Sequence, residues 1–175
     1  MKQKDEVNDC RAYAIRAGDS DTLRLMNEDD VLATARSIME SRFQRSHYLT
    51  SPDVTRQYLT LSLANEAREV FGLVLLDTRH GVLGLEILFQ GTIDGAAVYP
   101  REVVKRALDA NAAAVILVHN HPSGNPEPSR ADQLLTERIC KALETVEIRV
   151  LDHLIVAGSG VVSFAERGLI PSGSG

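Results

Sequence analysis

The chain has 175 residues, 44% of them hydrophobic, and a formal net charge of −5. That length suits one domain with a sizeable core rather than two, and no apolar run approaches the length of a membrane span. The acidic balance argues against coating nucleic acid, which needs clustered Lys and Arg, and the opening Met1-Lys2-Gln3-Lys4-Asp5-Glu6 lacks a signal peptide's apolar core, so a cytoplasmic protein without membrane contact is expected.

Residues 1–30 are polar and acid-rich without sustained periodicity, and read as a mobile leader with at most one short helical turn. From Val31 to Arg45, Val31, Ala35, Ile38, Met39 and Phe43 fall on one helical face, so residues 31–50 should carry a helix that packs on the domain or on a partner. Ser51-Pro52-Asp53 is a helix start, with Ser51 as N-cap and Pro52 at the first position, and Val54, Tyr58 and Leu61 follow as its stripe to an end near Ala64 or Asn65. Phe71 to Asp77 reads as a central strand that turns at Thr78-Arg79-His80-Gly81 into a second strand, Val82 to Gln90. His80 then sits in the hairpin turn as an exposed residue.

Gly91 to Gly95 loosens the chain before Pro100 opens a helix over Arg101 to Asn111, with Val103, Val104, Ala107 and Leu108 on its buried stripe. The apolar run Ala112 to Val118 reads as a buried strand. Ser129 opens a second helix whose stripe is Leu134, Leu135, Ile139, Ala142 and Leu143. Ile148 to Val156 is another strand, turning at Gly158-Ser159-Gly160 into an antiparallel return from Val161 to Phe164, with a short turn over Ala165 to Leu169. Residues 171–175 are a tail without fold information. This order predicts a single α/β layered domain over residues 51–170, a mixed sheet flanked by helices. Cys10 and Cys140 have neither zinc-ligand spacing nor disulfide logic and read as free thiols. Arg101, Lys105 and Arg106, like Arg36, Arg42 and Arg45, are most simply solvated helix faces.

Between the buried strand and the Ser129 helix lies His119-Asn120-His121-Pro122-Ser123-Gly124-Asn125-Pro126-Glu127-Pro128-Ser129-Arg130-Ala131-Asp132. Histidines at i and i+2 at a strand end share one face and can reach one ion. Asp132, in the first turn of the next helix, adds a carboxylate, completing three ligands of the kind zinc takes in catalytic sites, with a fourth position open to water. Ser129-x-x-Asp132 also fits a capping box, in which both residues only satisfy backbone N–H groups, but that reading leaves the two histidines unexplained.

The spacing His119-x-His121, seven residues, Ser129-x-x-Asp132 resembles the signature of the JAMM (MPN-type) metalloproteases, and His-Asn-His-Pro-Ser-Gly is similar to their RadC-like branch. The Tyr99-Pro100-Arg101-Glu102-Val103-Val104 and Asp152-His153-Leu154-Ile155-Val156 stretches belong to the same resemblance, which runs from about Ser51 to Ile170. It implies a mixed sheet flanked by helices, layered much as in cytidine deaminases, with Zn2+ on His119, His121 and Asp132. Such a site needs a base for water. Glu66, Glu69, Glu86 and Glu102 are the candidates; the family's glutamate at a strand start, in Glu-x-x-Gly form, implies Glu69, with Glu66 in reserve. The family also gives Ser129 the role of hydrogen-bonding the tetrahedral oxyanion, a role that competes with helix capping for one hydroxyl. Asn120 stands where most JAMM proteases carry Ser or Thr, as in the RadC-like branch. Asp152 and His153 lie on opposite faces of their strand, so they read as structural, with one in reach of a ligand histidine.

The resemblance implies a zinc-dependent hydrolase of peptide or isopeptide bonds, acting on a peptide or protein-conjugate substrate. A nucleobase deaminase would need His-x-Glu and Pro-Cys-x-x-Cys, which are absent. The alternative is a binding module, or nuclease, of DNA-repair or mobile-element complexes with a structural or vestigial metal site. RadC-like proteins carry a DNA-repair label by association, but charge disfavours nucleic acid here. Longer members also carry a helix-hairpin-helix region, for which this leader is too short.

Overall fold

The structure, a computed structural model, describes residues 14–16, 23–45, 52–63, 66–91, 98–158 and 160–171. Within the expected polar leader, strands β1 (Ala14–Arg16) and β2 (Leu23–Leu25) pair antiparallel, Ile15 opposite Arg24, where a helical turn was expected. Helix α1 (Glu28–Arg45) starts three residues before the apolar stripe. Its start is set by a reciprocal cap: the Asn27 side chain accepts from the Asp30 N–H and the Asp30 carboxylate from the Asn27 N–H. Helix α2 (Pro52–Leu63) packs against α1, and Arg36 reaches across to donate to the Leu61 carbonyl. The expected N-cap Ser51 lies outside the described residues, as do Cys10, Arg42 and Arg45 as side chains, and the 92–97 part of the loosened stretch.

Strands β3 (Val70–Leu76) and β4 (Val82–Gln90) form the predicted hairpin. Asp77 shapes its turn by accepting from the N–H groups of Arg79 and Gly81. His80 takes the turn's left-handed conformation (φ 62°) and accepts from Arg149. Helix α3 (Pro100–Asp109), strand β5 (Ala114–Asn120), helix α4 (Arg130–Glu144), strand β6 (Arg149–Ala157) and strand β7 (Gly160–Ser163) complete the order. The five-stranded sheet runs β4-β3-β5-β6-β7, and only the β5–β6 pair is parallel. α4 is therefore the crossover of a βαβ unit, and the loop leaving the carboxyl end of β5 opens at the place where α/β sheets put their sites.

Both faces of the central strands are covered, which is why β3 and β5 read as continuous apolar runs rather than alternating ones. Val70, Val74, Ile116 and Val118 pack with Tyr58, Leu59 and Leu63 of α2 on one face. Leu73, Leu75, Val115 and Leu117 pack with Val103 and Ala107 of α3 and Ile139 and Leu143 of α4 on the other. Each such side chain contributes about 1.5–3 kcal/mol by leaving water. At Gly72 a side chain would not fit: a Cβ there would lie 2.5 Å from the Glu86 carbonyl oxygen, next to the register shift between Phe71 and Gly72. Arg106 pairs with Glu86 across the β4–α3 seam and Arg101 with Glu102, so both arginines of that basic cluster are spent on neighbouring carboxylates. Among the described residues, no helix is long and apolar enough to cross a membrane.

Candidate metal centre

His119, the penultimate residue of β5, turns toward the α3–α4 face and is 2% exposed. The strand alternation turns Asn120 the other way and brings His121 back to the same face, where its N–H still bonds the Val156 carbonyl. The loop then folds back: Gly124 adopts φ 77° and its N–H bonds the His121 carbonyl. Ser129 caps α4, and Asp132 sits in its first turn, 9% exposed. His119, His121 and Asp132 thus present ligand atoms all within 4.8 Å of one another.

The hydrogen bonds fix what these atoms offer. His121 Nδ1 lies 2.7 Å from the Asn125 carbonyl, so it must carry a hydrogen, and in the neutral ring Nε2 is then a lone pair aimed inward. His119 Nε2 lies 2.9 Å from that lone pair. One Asp132 oxygen is 3.5 Å from His119 Nε2 and the other 3.6 Å from His121 Nε2. Ligands about 2.1 Å from a tetrahedral ion are about 3.4 Å apart, so the trio fits zinc with little adjustment, and two imidazoles with a carboxylate are its usual catalytic donor set.

Burial disfavours charge on His119 and pushes its pKa down to about 4, Asp132 opposing and His121 adding to the shift. His153, 0% exposed, is held well below the usual histidine range, first by burial and then by His119 and His121. Both are neutral at physiological pH, the state a metal ligand needs. For the metal-free protein the sign follows directly: between pH 6.5 and about 4 the unfolded chain protonates His119 and the folded chain does not, so stability is lost as pH falls through that window. His119 alone should account for about 3 kcal/mol. Urea unfolding at pH 7 and pH 4 measures it, and a wild-type loss no larger than that of His119→Asn would contradict it.

Ser129 and Asp132 do form the capping box: the Ser129 oxygen accepts from the Asp132 N–H at 3.1 Å, and Asp132 Oδ2 accepts from the Ser129 N–H at 2.7 Å. The two roles weighed for Ser129 therefore do not compete. Capping uses a lone pair, and the single O–H hydrogen stays free to donate. Likewise Asp132 Oδ1 is not engaged by the cap.

Glu69 and Ser129 line the same cleft of about 820 Å3 as the three converging residues, with Tyr99 and Leu135 among its walls. Glu66 lines a different pocket, beside Tyr58 and Leu85. Glu86 is engaged by Arg106, and Glu102 lies beside Arg101 away from the cleft. Asp152 is structural: it accepts from Ser163 at 2.6 Å and from the Ala165 N–H at 2.8 Å, tying β6 to the turn after β7. His153, on the other face, meets His119 Nδ1 at 2.8 Å.

The roles of two residues were not foreseen from the sequence. Asn120, 2% exposed, accepts from the Val70 N–H and donates to the Glu66 and Arg68 carbonyls, so it clamps the backbone that carries Glu69. The signal was its place between the histidines, on the opposite strand face. Thr136 lies 2.7 Å from both His153 Nδ1 and the Asp132 carbonyl; its spacing, one turn after Asp132, was the available clue.

A family model described as the RadC-like JAB domain matches residues 49–169. The chain is 56% identical over 137 residues to a UPF0758 protein of Aliivibrio fischeri, covering 78% of this chain and 61% of that protein. It is 55% identical over 140 residues to a UPF0758 protein of Methylibium petroleiphilum (80% and 63%) and 56% identical over 140 residues to one of Vibrio cholerae (80% and 62%). The chain thus spans about three-fifths of the length of the curated relatives it matches.

Proposed function

Since the chain belongs to the RadC-like JAB domain family, we propose that it is a zinc-dependent hydrolase of peptide or isopeptide bonds, with His119, His121 and Asp132 holding the ion. The observation that carries this reading is the convergence of two imidazoles and a carboxylate at a cleft that Glu69 and Ser129 also line. The ion, when held there, would supply a Lewis acid that lowers the pKa of water to about 7 and polarises a carbonyl.

The chain's own residues supply the rest. Glu69 takes the proton from the attacking water and returns it to the leaving nitrogen. Ser129 directs its free O–H hydrogen at the oxygen on which negative charge develops. Tyr99 and Leu135, which line the same cleft, offer apolar wall to a substrate chain.

The test is a panel of peptides and isopeptide-linked conjugates, each with chelator and then with zinc restored, alongside DNA affinity over a salt series. Cleavage should vanish with chelator and return with zinc. DNA should bind no tighter than the roughly 10⁻⁴ to 10⁻⁶ M of nonspecific electrostatic contact, given the net charge of −5. Submicromolar, metal-dependent DNA binding without chelator-sensitive cleavage would reverse the ranking in favour of a DNA-repair or mobile-element module.

A further inference from the structure

We infer that Thr136 and His153 are positioning residues that set which nitrogen of His119 carries its hydrogen, and so adapt His119 to the metal. The inference rests on the proposed ligand role of His119 and concerns two residues that touch neither ion nor substrate. His153 and Thr136 are both 0% exposed, so every polar atom must be satisfied within the protein. Phe164, with its ring centroid 4.6 Å away, and Phe71, edge-on at 5.8 Å, hold the His153 ring in place.

The contacts run in one chain: the Asp132 carbonyl, Thr136 Oγ1, His153 Nδ1, His153 Nε2, His119 Nδ1. A threonine hydroxyl has one hydrogen and each neutral imidazole has one, so two arrangements satisfy the chain. In the first, Thr136 donates to the Asp132 carbonyl, His153 Nδ1–H donates to Thr136, and His119 Nδ1–H donates to His153 Nε2. His119 Nε2 is then a lone pair, as ligation requires. In the second, Thr136 donates to His153 Nδ1, His153 Nε2–H donates to His119 Nδ1, and His119 carries its hydrogen on Nε2.

The surroundings of His119 choose between them. With His121 in its neutral form, its Nε2 is a lone pair 2.9 Å away, so two lone pairs would face each other unless a hydrogen or a cation lies between. The metal-free protein therefore takes the second arrangement and the zinc-bound protein the first. Each group carries one hydrogen in both, so only positions change and no net proton is gained or lost.

Thr136 is needed unequally in the two states. Without its oxygen, the zinc-bound arrangement leaves a buried His153 N–H with no acceptor, while the metal-free one leaves only an acceptor unfilled, and buried orphan N–H groups are the costlier and rarer case.

Histidine side-chain ¹⁵N NMR distinguishes the two hydrogen positions, and zinc affinity by competition with a chelating indicator gives the energetic consequence. His153 is expected to carry its hydrogen on Nε2 in the metal-free wild type and on Nδ1 with zinc. Thr136→Val should weaken zinc binding by about 10–100-fold, the usual cost of losing a partner behind a ligand histidine, while Thr136→Ser keeps wild-type affinity. A residue that merely filled the core would leave the His153 tautomer indifferent to zinc. Zinc-bound wild type with His153 unchanged, or Thr136→Val at wild-type affinity, overturns the inference alone; wild type that binds no zinc overturns the metal reading beneath it. Should Thr136→Val fail to fold, the wild-type NMR comparison decides.

Discussion

Glu69→Gln is expected to keep its metal and lose turnover by about two to four orders of magnitude, the usual weight of a positioned general base. Gln has the shape of Glu and accepts a hydrogen bond, but it cannot take a proton from water and pass it on. The residue is well suited to this isolation of effects. Its side chain is exposed at the cleft, so the change should cost within about 0.5 kcal/mol of stability. Its backbone is held independently, by the bond of the Gly91 N–H to its carbonyl and by the Asn120 clamp on Glu66, Arg68 and Val70. Glu66→Gln is the control, because Glu66 lines a different pocket and should leave turnover intact. The checks are steady-state cleavage and zinc content of both variants; loss of turnover in Glu66→Gln but not in Glu69→Gln would place the base one turn of chain earlier.

Asp132→Asn is expected to lower zinc affinity by more than the roughly 10–100-fold that follows loss of a residue merely hydrogen-bonded to a ligand. The comparison with Asp132→Ala separates two roles. An asparagine oxygen can still accept the Ser129 N–H, so the cap survives, while the negative charge and one of the two acceptor oxygens are gone. Alanine removes the box as well and should cost about 1 kcal/mol more in stability. Zinc competition and thermal unfolding in chelator check the pair. If Asp132→Asn bound zinc like wild type, Asp132 would be a capping residue and nothing more.

The sheet and the site were legible for the same reason: local patterns there agree with the final fold. Ala114 to Val118 is apolar throughout because helices cover both faces of β5, and alternation at its end puts His119 and His121 together whatever the packing elsewhere. Ser129 and Asp132 announce the start of α4 through capping chemistry, and their position beside the histidines follows from the short turn-rich loop.

What stayed hidden depends on contacts between distant segments or on weak local signals. β1 and β2 are three residues each, too short for periodicity to register. The start of α1 lay in an Asn-x-x-Asp cap that precedes the apolar stripe. Asn120 reaches back to residues 66–70, some fifty positions earlier, and Thr136 meets His153 only because α4 packs on β6. Gly72 was read from its place in a motif, whereas the physical need for it, the close approach of the Glu86 carbonyl, exists only once β3 and β4 are paired.

Metal content measured after zinc loading and desalting, for wild type and for the His119→Ala, His121→Ala double variant, tests the metal centre most directly. About one zinc per chain is predicted for wild type and none for the double variant, since a lone Asp132 cannot hold the ion. A folded double variant that retained its full zinc would contradict the assignment of these three residues.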